Sequence, residues 1–151
     1  EVTPHHLLRS NLDINTNDGS LKMYPPLRSE EDRQALIEGL KDGIIDVIAT
    51  DHAPHPSATK EVSFKESARG VVGLESAFVA LFSSNIFTLD ELIYFMSKNP
   101  QNILKSLGYD TSNTLANTWI ETDSVFSTKS FFKNSVFENL EVKIKKEFSN
   151  V

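Results

Sequence analysis

The chain has 151 residues, 39% of them hydrophobic and 24% charged, so it can bury the core of a globular domain and is not disordered as a whole. Its net charge of −6 argues against a protein that binds nucleic acid through the phosphates, and its apolar runs are too short to span a membrane. The lack of cysteine excludes disulfides and thiolate zinc sites and favours the cytoplasm.

The first third of the chain carries the signals of a helix followed by a buried strand. Ser29 and Asp32 form a capping-box pattern, and apolar residues follow at helical spacing. Gly43 stands where a left-handed C-terminal cap belongs, so the pattern predicts a helix over 30–42. The β-branched run over 44–50 is typical of a strand buried on both faces, as in a parallel sheet. Together these elements predict an α/β layer fold.

Further helices are predicted after a polar loop over 51–72. The first is an apolar helix near 74–82. Thr88 and Glu91 form a second capping box, which begins the next helix. Pro100, in the first-turn position that proline tolerates, begins a third.

The composition changes after residue 110. Residues 111–151 are rich in Thr, Ser, Asn, Phe and Val, and polar and apolar residues alternate over 140–145. This alternation predicts short antiparallel strands. We therefore expect an α/β unit over 1–110 and a β-strand unit over 111–151.

All four histidines lie in two short clusters, His5-His6 and the pair formed by His52 and His55. The second cluster directly follows Asp51, at the end of the predicted strand. In an α/β barrel the active site lies at the C-terminal ends of the strands, so Asp51 would be held rigidly at the mouth. A carboxylate there can bind a metal, or take a proton from metal-bound water and pass it to a leaving group.

Each of these residues also has a plainer interpretation. An acid at a strand end, such as Asp51, is often a turn former or helix cap. His5 and His6 can simply satisfy backbone groups, and Arg28 can neutralise a nearby carboxylate. His55 can either orient a substrate or bind a metal. Spacing alone therefore leaves both a hydrolase and a protein without catalytic function open.

Four segments stand in order along the chain and are read together: Glu1-Val2-Thr3-Pro4-His5-His6-Leu7-Leu8, Pro25-Pro26-Leu27-Arg28, Ala49-Thr50-Asp51-His52-Ala53-Pro54-His55 and Gly70-Val71-Val72-Gly73-Leu74-Glu75. They closely resemble successive motifs of the bacterial-type dihydroorotases, which belong to the amidohydrolase superfamily. The resemblance runs from residue 1 to about residue 108 and is looser beyond. It implies the C-terminal part of a (β/α)8 TIM barrel of the metal-dependent hydrolase type, with a segment of a small β domain at the C-terminus.

The resemblance also implies a reaction and roles for five residues. The family interconverts N-carbamoyl-L-aspartate and L-dihydroorotate in pyrimidine synthesis, with two zinc ions per complete active site. Asp51 matches the catalytic aspartate, which also ligates zinc, and His55 matches a substrate-binding histidine. Arg69 and Gly70 match a substrate-contacting loop, and Tyr24 stands at a substrate-contacting position. Tyr24 and Arg69 depart from the family pattern, which has Asn and Phe there, although Arg69 could pair with a substrate carboxylate.

Most of the family's metal ligands are not in this sequence. Its His-x-His-x-Arg motif, its bridging carboxylate or carboxylated lysine and two further histidines precede the first matched segment, and His5 and His6 do not match ligand positions. A zinc site normally takes three or four protein ligands. The chain also begins at Glu1 rather than at a methionine. We therefore expect part of a longer enzyme, which needs its N-terminal part as a partner and is inactive alone.

Two other functions stay open. The chain could be a non-catalytic dihydroorotase-like module that scaffolds aspartate transcarbamoylase, or another cyclic amidohydrolase such as a hydantoinase or an allantoinase. The presence of Asp51 and His55 favours the enzyme, and the Pro-Pro-Leu-Arg segment disfavours the other amidohydrolases. Since part of a barrel exposes a sheet edge and an apolar helix face, a homo-oligomer is also expected.

Overall fold

The computed structural model describes residues 1–111 and the two strands Val125–Ser127 and Glu141–Lys143. Helices dominate the described part, and in chain order they are α1 (Pro4–Leu8), a 3₁₀ turn (Asn11–Asp13), α2 (Glu30–Lys41), α3 (Ser57–Lys60), α4 (Ala77–Ser83), α5 (Leu89–Ile93), a π-helical turn (Tyr94–Lys98) and α6 (Asn99–Ser106). Within these residues, no helix is long and apolar enough to cross a membrane.

Helix α2 confirms the helix predicted over 30–42. The Ser29 hydroxyl accepts the Asp32 N–H at 3.2 Å, and the Asp32 carboxylate accepts the Ser29 N–H at 3.3 Å, so the capping box is complete. Gly43 follows the helix with a φ of 72°, the left-handed conformation that glycine adopts without steric cost. The signals at both ends are local, and they fix the helix where the sequence predicts it.

The strand predicted over 44–50 is wrong in extent. Within 44–50 the described structure has one parallel bridge, between Val2 and Ile48, in which Val2 exchanges two backbone hydrogen bonds of 3.0 and 2.9 Å with the residues on either side of Ile48; a second isolated parallel bridge pairs His52 with Val71. Ile48 is buried, whereas Ile44 is 78% exposed. The pairing is short because the partner segment turns at Thr3 into helix α1, and a β-branched run forms a strand only where a neighbour pairs with it.

The helices of the second half are present, but one boundary differs from the prediction. The helix predicted near 74–82 is α4, and the capping box of Thr88 and Glu91 begins α5. No break precedes Pro100, since α5 continues through the π turn into α6. Proline lacks an N–H and its ring crowds the carbonyl four residues earlier, and the wider π turn accommodates both defects.

Helix α1 was not predicted, although its signals are present in the sequence. The Thr3 hydroxyl accepts the N–H of His6 at 3.4 Å, and Pro4 occupies the first turn. Threonine at the N-cap and proline directly after it are common at helix starts. The single turn brings the His5-His6 pair against the rest of the molecule.

The two strands of the tail, β1 (Val125–Ser127) and β2 (Glu141–Lys143), pair antiparallel, with Phe126 opposite Val142. This agrees with the antiparallel strands that the alternation over 140–145 predicts. The division into units over 1–110 and 111–151 stays a prediction, because most of the second range lies outside the described residues.

Two apolar clusters hold the described part together. The larger one joins helices α1, α2, α4 and α5, and its buried members are Val2, Leu7, Ile37, Leu40, Ile48, Leu81, Phe87, Leu92 and Phe95. The smaller one consists of Met23, Leu27, Val71 and Ala80. Because Met23 and Val71 are one residue away from Tyr24 and Gly70, the smaller cluster anchors both segments that carry candidate substrate-binding residues.

His5 belongs to this interior rather than to a metal site. It is 1% exposed, and its Nε2 has no hydrogen-bond partner among the described residues. Burial, assisted by the neighbouring His6, lowers the pKa of His5 to about 3. The imidazole is therefore neutral at physiological pH.

We expect Leu40→Ala to lower the free energy of unfolding by about 2–5 kcal/mol, because it leaves a cavity at a core position that is 1% exposed. Leu12→Ala, at a position that is 83% exposed, is the matched control and should change little. Urea denaturation of both variants measures the difference. Equal losses at the two positions would contradict the described core.

We also expect His5 to make the stability of the chain fall in mild acid. Its pKa is lower in the folded chain than in the unfolded chain, so the unfolded state binds more protons below pH 6.5. The stability that the neutral His5 contributes is fully present above pH 6.5. As the pH falls toward 3, this stability is lost at up to about 1.4 kcal/mol per pH unit. Urea denaturation between pH 7 and pH 4.5 should show a shallower decline for His5→Leu than for the wild type, and identical slopes would contradict the assignment.

Candidate active site

Asp51 lies shortly after the bridge at Ile48, at the edge of a cleft of about 550 Å³. The cleft brings together three of the sequence motifs, and its polar lining residues are Glu1, Thr3, His6, Tyr24, Arg28 and Asp51. Asp51 is exposed and has a φ of 47°, in the left-handed region that a residue with a Cβ seldom adopts.

His6 connects two walls of the cleft. Its Nε2 lies 3.1 Å from the Pro25 carbonyl oxygen, and its Nδ1 lies 2.6 Å from the Thr3 hydroxyl. A carbonyl only accepts, so Nε2 carries the proton, and in the neutral ring Nδ1 accepts from the hydroxyl. Both ring nitrogens are thus engaged, which gives His6 the bracing role that the plainer interpretation expected.

The loop that carries Arg69 and Gly70 folds back onto the segment after Asp51. The Ala53 N–H donates to the Val71 carbonyl at 2.9 Å, and the His55 Nε2–H donates to the Arg69 carbonyl at 2.8 Å. Gly70 has a φ of 127°, and a Cβ on it would lie 2.7 Å from the Ala53 side chain. Glycine is required here both for its backbone conformation and for the space.

His52, for which no separate role is predicted, anchors the segment that leads into α4. Its Nδ1 accepts the N–H groups of Gly73 and Leu74 at 3.2 and 3.1 Å. A Glu75 oxygen lies 4.0 Å from the same nitrogen. A nitrogen that accepts two N–H groups carries no proton, so we assign hydrogen bonds rather than an ion pair. The imidazole directly after the strand-end acid was the signal for this role.

Tyr24 and Arg69, which the resemblance predicts to depart from the family pattern, contact each other. The guanidinium carbon of Arg69 lies 5.4 Å from the centre of the Tyr24 ring, within the range of a cation–π interaction. Tyr24 is 71% exposed and lines the cleft, so the pair lies at its edge. Arg28 also lines the cleft, and it pairs with Asp32 at 3.4 Å, as the plainer interpretation expected.

The described residues do not by themselves fit a zinc ion. Within the part of the chain that the structure describes, no three His, Cys, Asp or Glu side chains are grouped so that they could hold a metal. A protein zinc site takes three or four such ligands. Asp51 can therefore supply one ligand of a metal site but not the site itself.

We expect Gly70→Ala to lower the free energy of unfolding by about 1–3 kcal/mol more than Gly43→Ala. Gly43 lies in the left-handed region, where a Cβ costs about 1–2 kcal/mol, and the φ of 127° at Gly70 is less accessible still to a residue with a Cβ. A Cβ at Gly43 would meet nothing within 4 Å, whereas a Cβ at Gly70 would overlap Ala53. Urea denaturation of the two variants measures the added strain and crowding at Gly70, and equal losses would show that the loop does not pack on Ala53 as described.

Curated dihydroorotases are similar to this chain in sequence. The enzyme of Listeria innocua is 52% identical over 109 residues, and that of Geobacillus sp. (strain WCH70) is 54% identical over 104 residues. These matches cover 70% and 66% of this chain but 26% and 24% of the relatives, so the chain spans about a quarter of their length. No family model matches the chain.

Solved amidohydrolase structures are similar to it in fold. The L-hydantoinase (dihydropyrimidinase) of Arthrobacter aurescens superposes with a TM-score of 0.76 and 25% identity, over 93% of this chain and 35% of that one. The dihydroorotase of Saccharomyces cerevisiae, solved with 5-fluoroorotic acid, gives 0.67 and 17%, over 99% and 43%, a likeness of fold alone. About half of the aligned residues are identical to those of curated dihydroorotases and the fold agrees with that of solved amidohydrolases, so the chain is similar to the C-terminal portion of the dihydroorotases.

Proposed function

We propose that this chain is the part of a dihydroorotase that carries the catalytic aspartate and the substrate loop. The enzyme would interconvert N-carbamoyl-L-aspartate and L-dihydroorotate in pyrimidine synthesis. The observation that carries the proposal is the position of Asp51, which is exposed three residues after the bridge at Ile48 on a cleft that the opening segment and the Tyr24–Arg28 segment also line. The identity to curated dihydroorotases supports it.

Asp51 would act as the proton shuttle of the reaction. Opening a cyclic amide requires that the attacking water lose a proton and that the leaving ring nitrogen gain one. A single carboxylate placed between the two atoms can accept the first proton and donate the second. Its exposure on the cleft leaves Asp51 accessible to a substrate.

The residues around the cleft suit an anionic substrate. Both proposed substrates carry carboxylates, and a guanidinium is well shaped to bind a carboxylate through two parallel hydrogen bonds. Arg69 would supply this group, held in place by the Tyr24 ring. His55 and Gly70 would shape the same loop, His55 through its bond to the Arg69 carbonyl and Gly70 through its close approach to Ala53.

Zinc is the proposed metal, with two ions in the complete site and Asp51 as one ligand. Because the described residues do not complete a site, the other ligands would come from polypeptide beyond them. A cytoplasmic location, self-association and a complex with aspartate transcarbamoylase are further proposals that follow from the family resemblance.

A hydantoinase is the alternative that the structural similarity raises. The L-hydantoinase superposes well, but it is 25% identical to this chain, whereas the curated dihydroorotases are 52% and 54% identical. The higher identity favours dihydroorotate over a hydantoin as the substrate.

A chimaera tests the proposal. The 109 matched residues of the Listeria innocua dihydroorotase are replaced by those of this chain, and turnover of dihydroorotate and of hydantoin is measured. We expect dihydroorotase activity, and we expect Asp51→Asn to lower kcat by about 10²–10⁴-fold because the amide cannot carry the proton. Asp90→Asn, at an exposed carboxylate in the first turn of α5, is the matched control and should leave kcat nearly unchanged.

Three results of that experiment would contradict the proposal. A folded, zinc-loaded chimaera that cleaves hydantoin but not dihydroorotate would make the substrate wrong. An active Asp51→Asn variant would remove the proposed proton shuttle. The isolated chain is assayed in parallel, and stoichiometric binding of two zinc ions with turnover would show that it needs no further ligands.

A further inference from the structure

Lys60, the last residue of α3, is a buried lysine whose hydrogen bonds go to neutral groups. It is 3% exposed, and its amine donates to the Lys22 carbonyl at 3.1 Å and to the Ala68 carbonyl at 3.0 Å. Burial lowers its pKa, and the charge of Asp18 offsets this only in part. Lysine is seldom buried so completely without an acidic partner, so its presence here needs an explanation.

Stability of the packing is a poor explanation. An apolar side chain of the same length would fill the space without the cost of burying an ammonium group. What an apolar residue cannot do is donate hydrogen bonds to the two carbonyls. The Lys22 carbonyl also accepts the Gly70 N–H at 3.0 Å, whereas among the described residues the other donor to the Ala68 carbonyl is the Ser67 hydroxyl, at 3.5 Å. The Ala68 carbonyl therefore depends on Lys60.

The two carbonyls lie next to the residues that form the stack at the cleft. Lys22 precedes Tyr24 by two positions, and Ala68 directly precedes Arg69. Lys60 thus joins the two chain segments whose side chains meet in the cation–π contact. Both carbonyls bind the same amine, so its two hydrogen bonds, together with the bond from the Gly70 N–H to the Lys22 carbonyl, hold the two segments at a fixed distance.

We propose that Lys60 is a positioning residue that fixes the Tyr24–Arg69 stack at the edge of the cleft, and that it thereby sets the affinity for the carboxylate of the substrate. The statement about the stack stands on the contacts alone, and the statement about the substrate rests on the proposed function. An arginine that is oriented before binding loses less side-chain freedom when it pairs with a carboxylate. If Arg69 were no longer held in this orientation, substrate binding would weaken more than the chemical step would slow.

The first test measures the stack in the 151-residue chain by NMR. Arg69 δ-protons near the face of the Tyr24 ring are shifted upfield, and Tyr24→Leu defines their position without the ring. In Lys60→Met, which keeps the length of the side chain but removes its donors, we expect the shift to move to the Tyr24→Leu position while the amides of α2 stay protected from exchange. Lys65→Met, at an exposed lysine of the same loop, is the matched control and should leave the shift unchanged.

The second test measures kinetics in the chimaera. We expect Lys60→Met to raise the KM for dihydroorotate about tenfold and to change kcat by less than about threefold. Lys60→Arg, which keeps the charge and the donors, should recover most of the affinity. If the loop of the methionine variant does not fold, Lys60→Gln replaces it, because glutamine keeps an N–H donor on a shorter neutral side chain. Lys60→Gln is then compared with Lys60→Arg by the Arg69 chemical shift and by the KM.

Two results would overturn the proposal. One is an unchanged chemical shift of the Arg69 δ-protons in a folded Lys60→Met variant, and the other is a Lys60→Met variant that is less stable but has an unchanged KM. Either result leaves Lys60 a purely structural role. A chimaera without dihydroorotase activity would defeat the proposed function, while the NMR comparison would still decide whether Lys60 positions the stack.

Discussion

The backbone pairing of Val2 with the residues on either side of Ile48 determines where the chemistry of this chain can lie. Its two hydrogen bonds fix the opening segment beside the segment that ends at Asp51. Side chains alternate between the faces of paired strands, so a slip of one residue would move Asp51 to the opposite face, away from the cleft and from His6. A pairing only one residue long thus sets the face on which the candidate catalytic carboxylate is presented.

Around that pairing, side-chain donors replace the regular ladders of a sheet. Irregular backbone leaves carbonyl groups without partners, and buried carbonyls need them. His6 donates to the Pro25 carbonyl, His55 to the Arg69 carbonyl and Lys60 to two more. Several residues that look catalytic in the sequence therefore hold loops in place. Asp51, whose contacts are not consumed in this way, keeps its carboxylate exposed on the cleft.

The parts of the fold that could be predicted are those that depend on local signals. The capping boxes at Ser29 and Thr88 begin helices where the sequence indicates, because their hydrogen bonds involve residues three positions apart. The extent of the strand over 44–50 could not be predicted, since it depends on how far a distant partner stays paired. The contact of Tyr24 with Arg69 could not be predicted either, because no periodicity relates positions so far apart in sequence. The resemblance singles out both residues but does not indicate that they touch.

The two functions of the proposed active site differ in how much of the molecule they need. A metal centre requires ligands that converge from several strands, and Asp51 is the one ligand that we propose from a chain whose match spans about a quarter of its relatives' length. The proposed substrate recognition needs less, since Tyr24 and Arg69 contact each other and Lys60 bonds to the Lys22 and Ala68 carbonyls in the same two segments, all within the described residues. Under the proposed function, a change of substrate preference can therefore arise within this part of the molecule without disturbing the proposed metal ligands, and the contact of Tyr24 with Arg69 is where we expect it to begin.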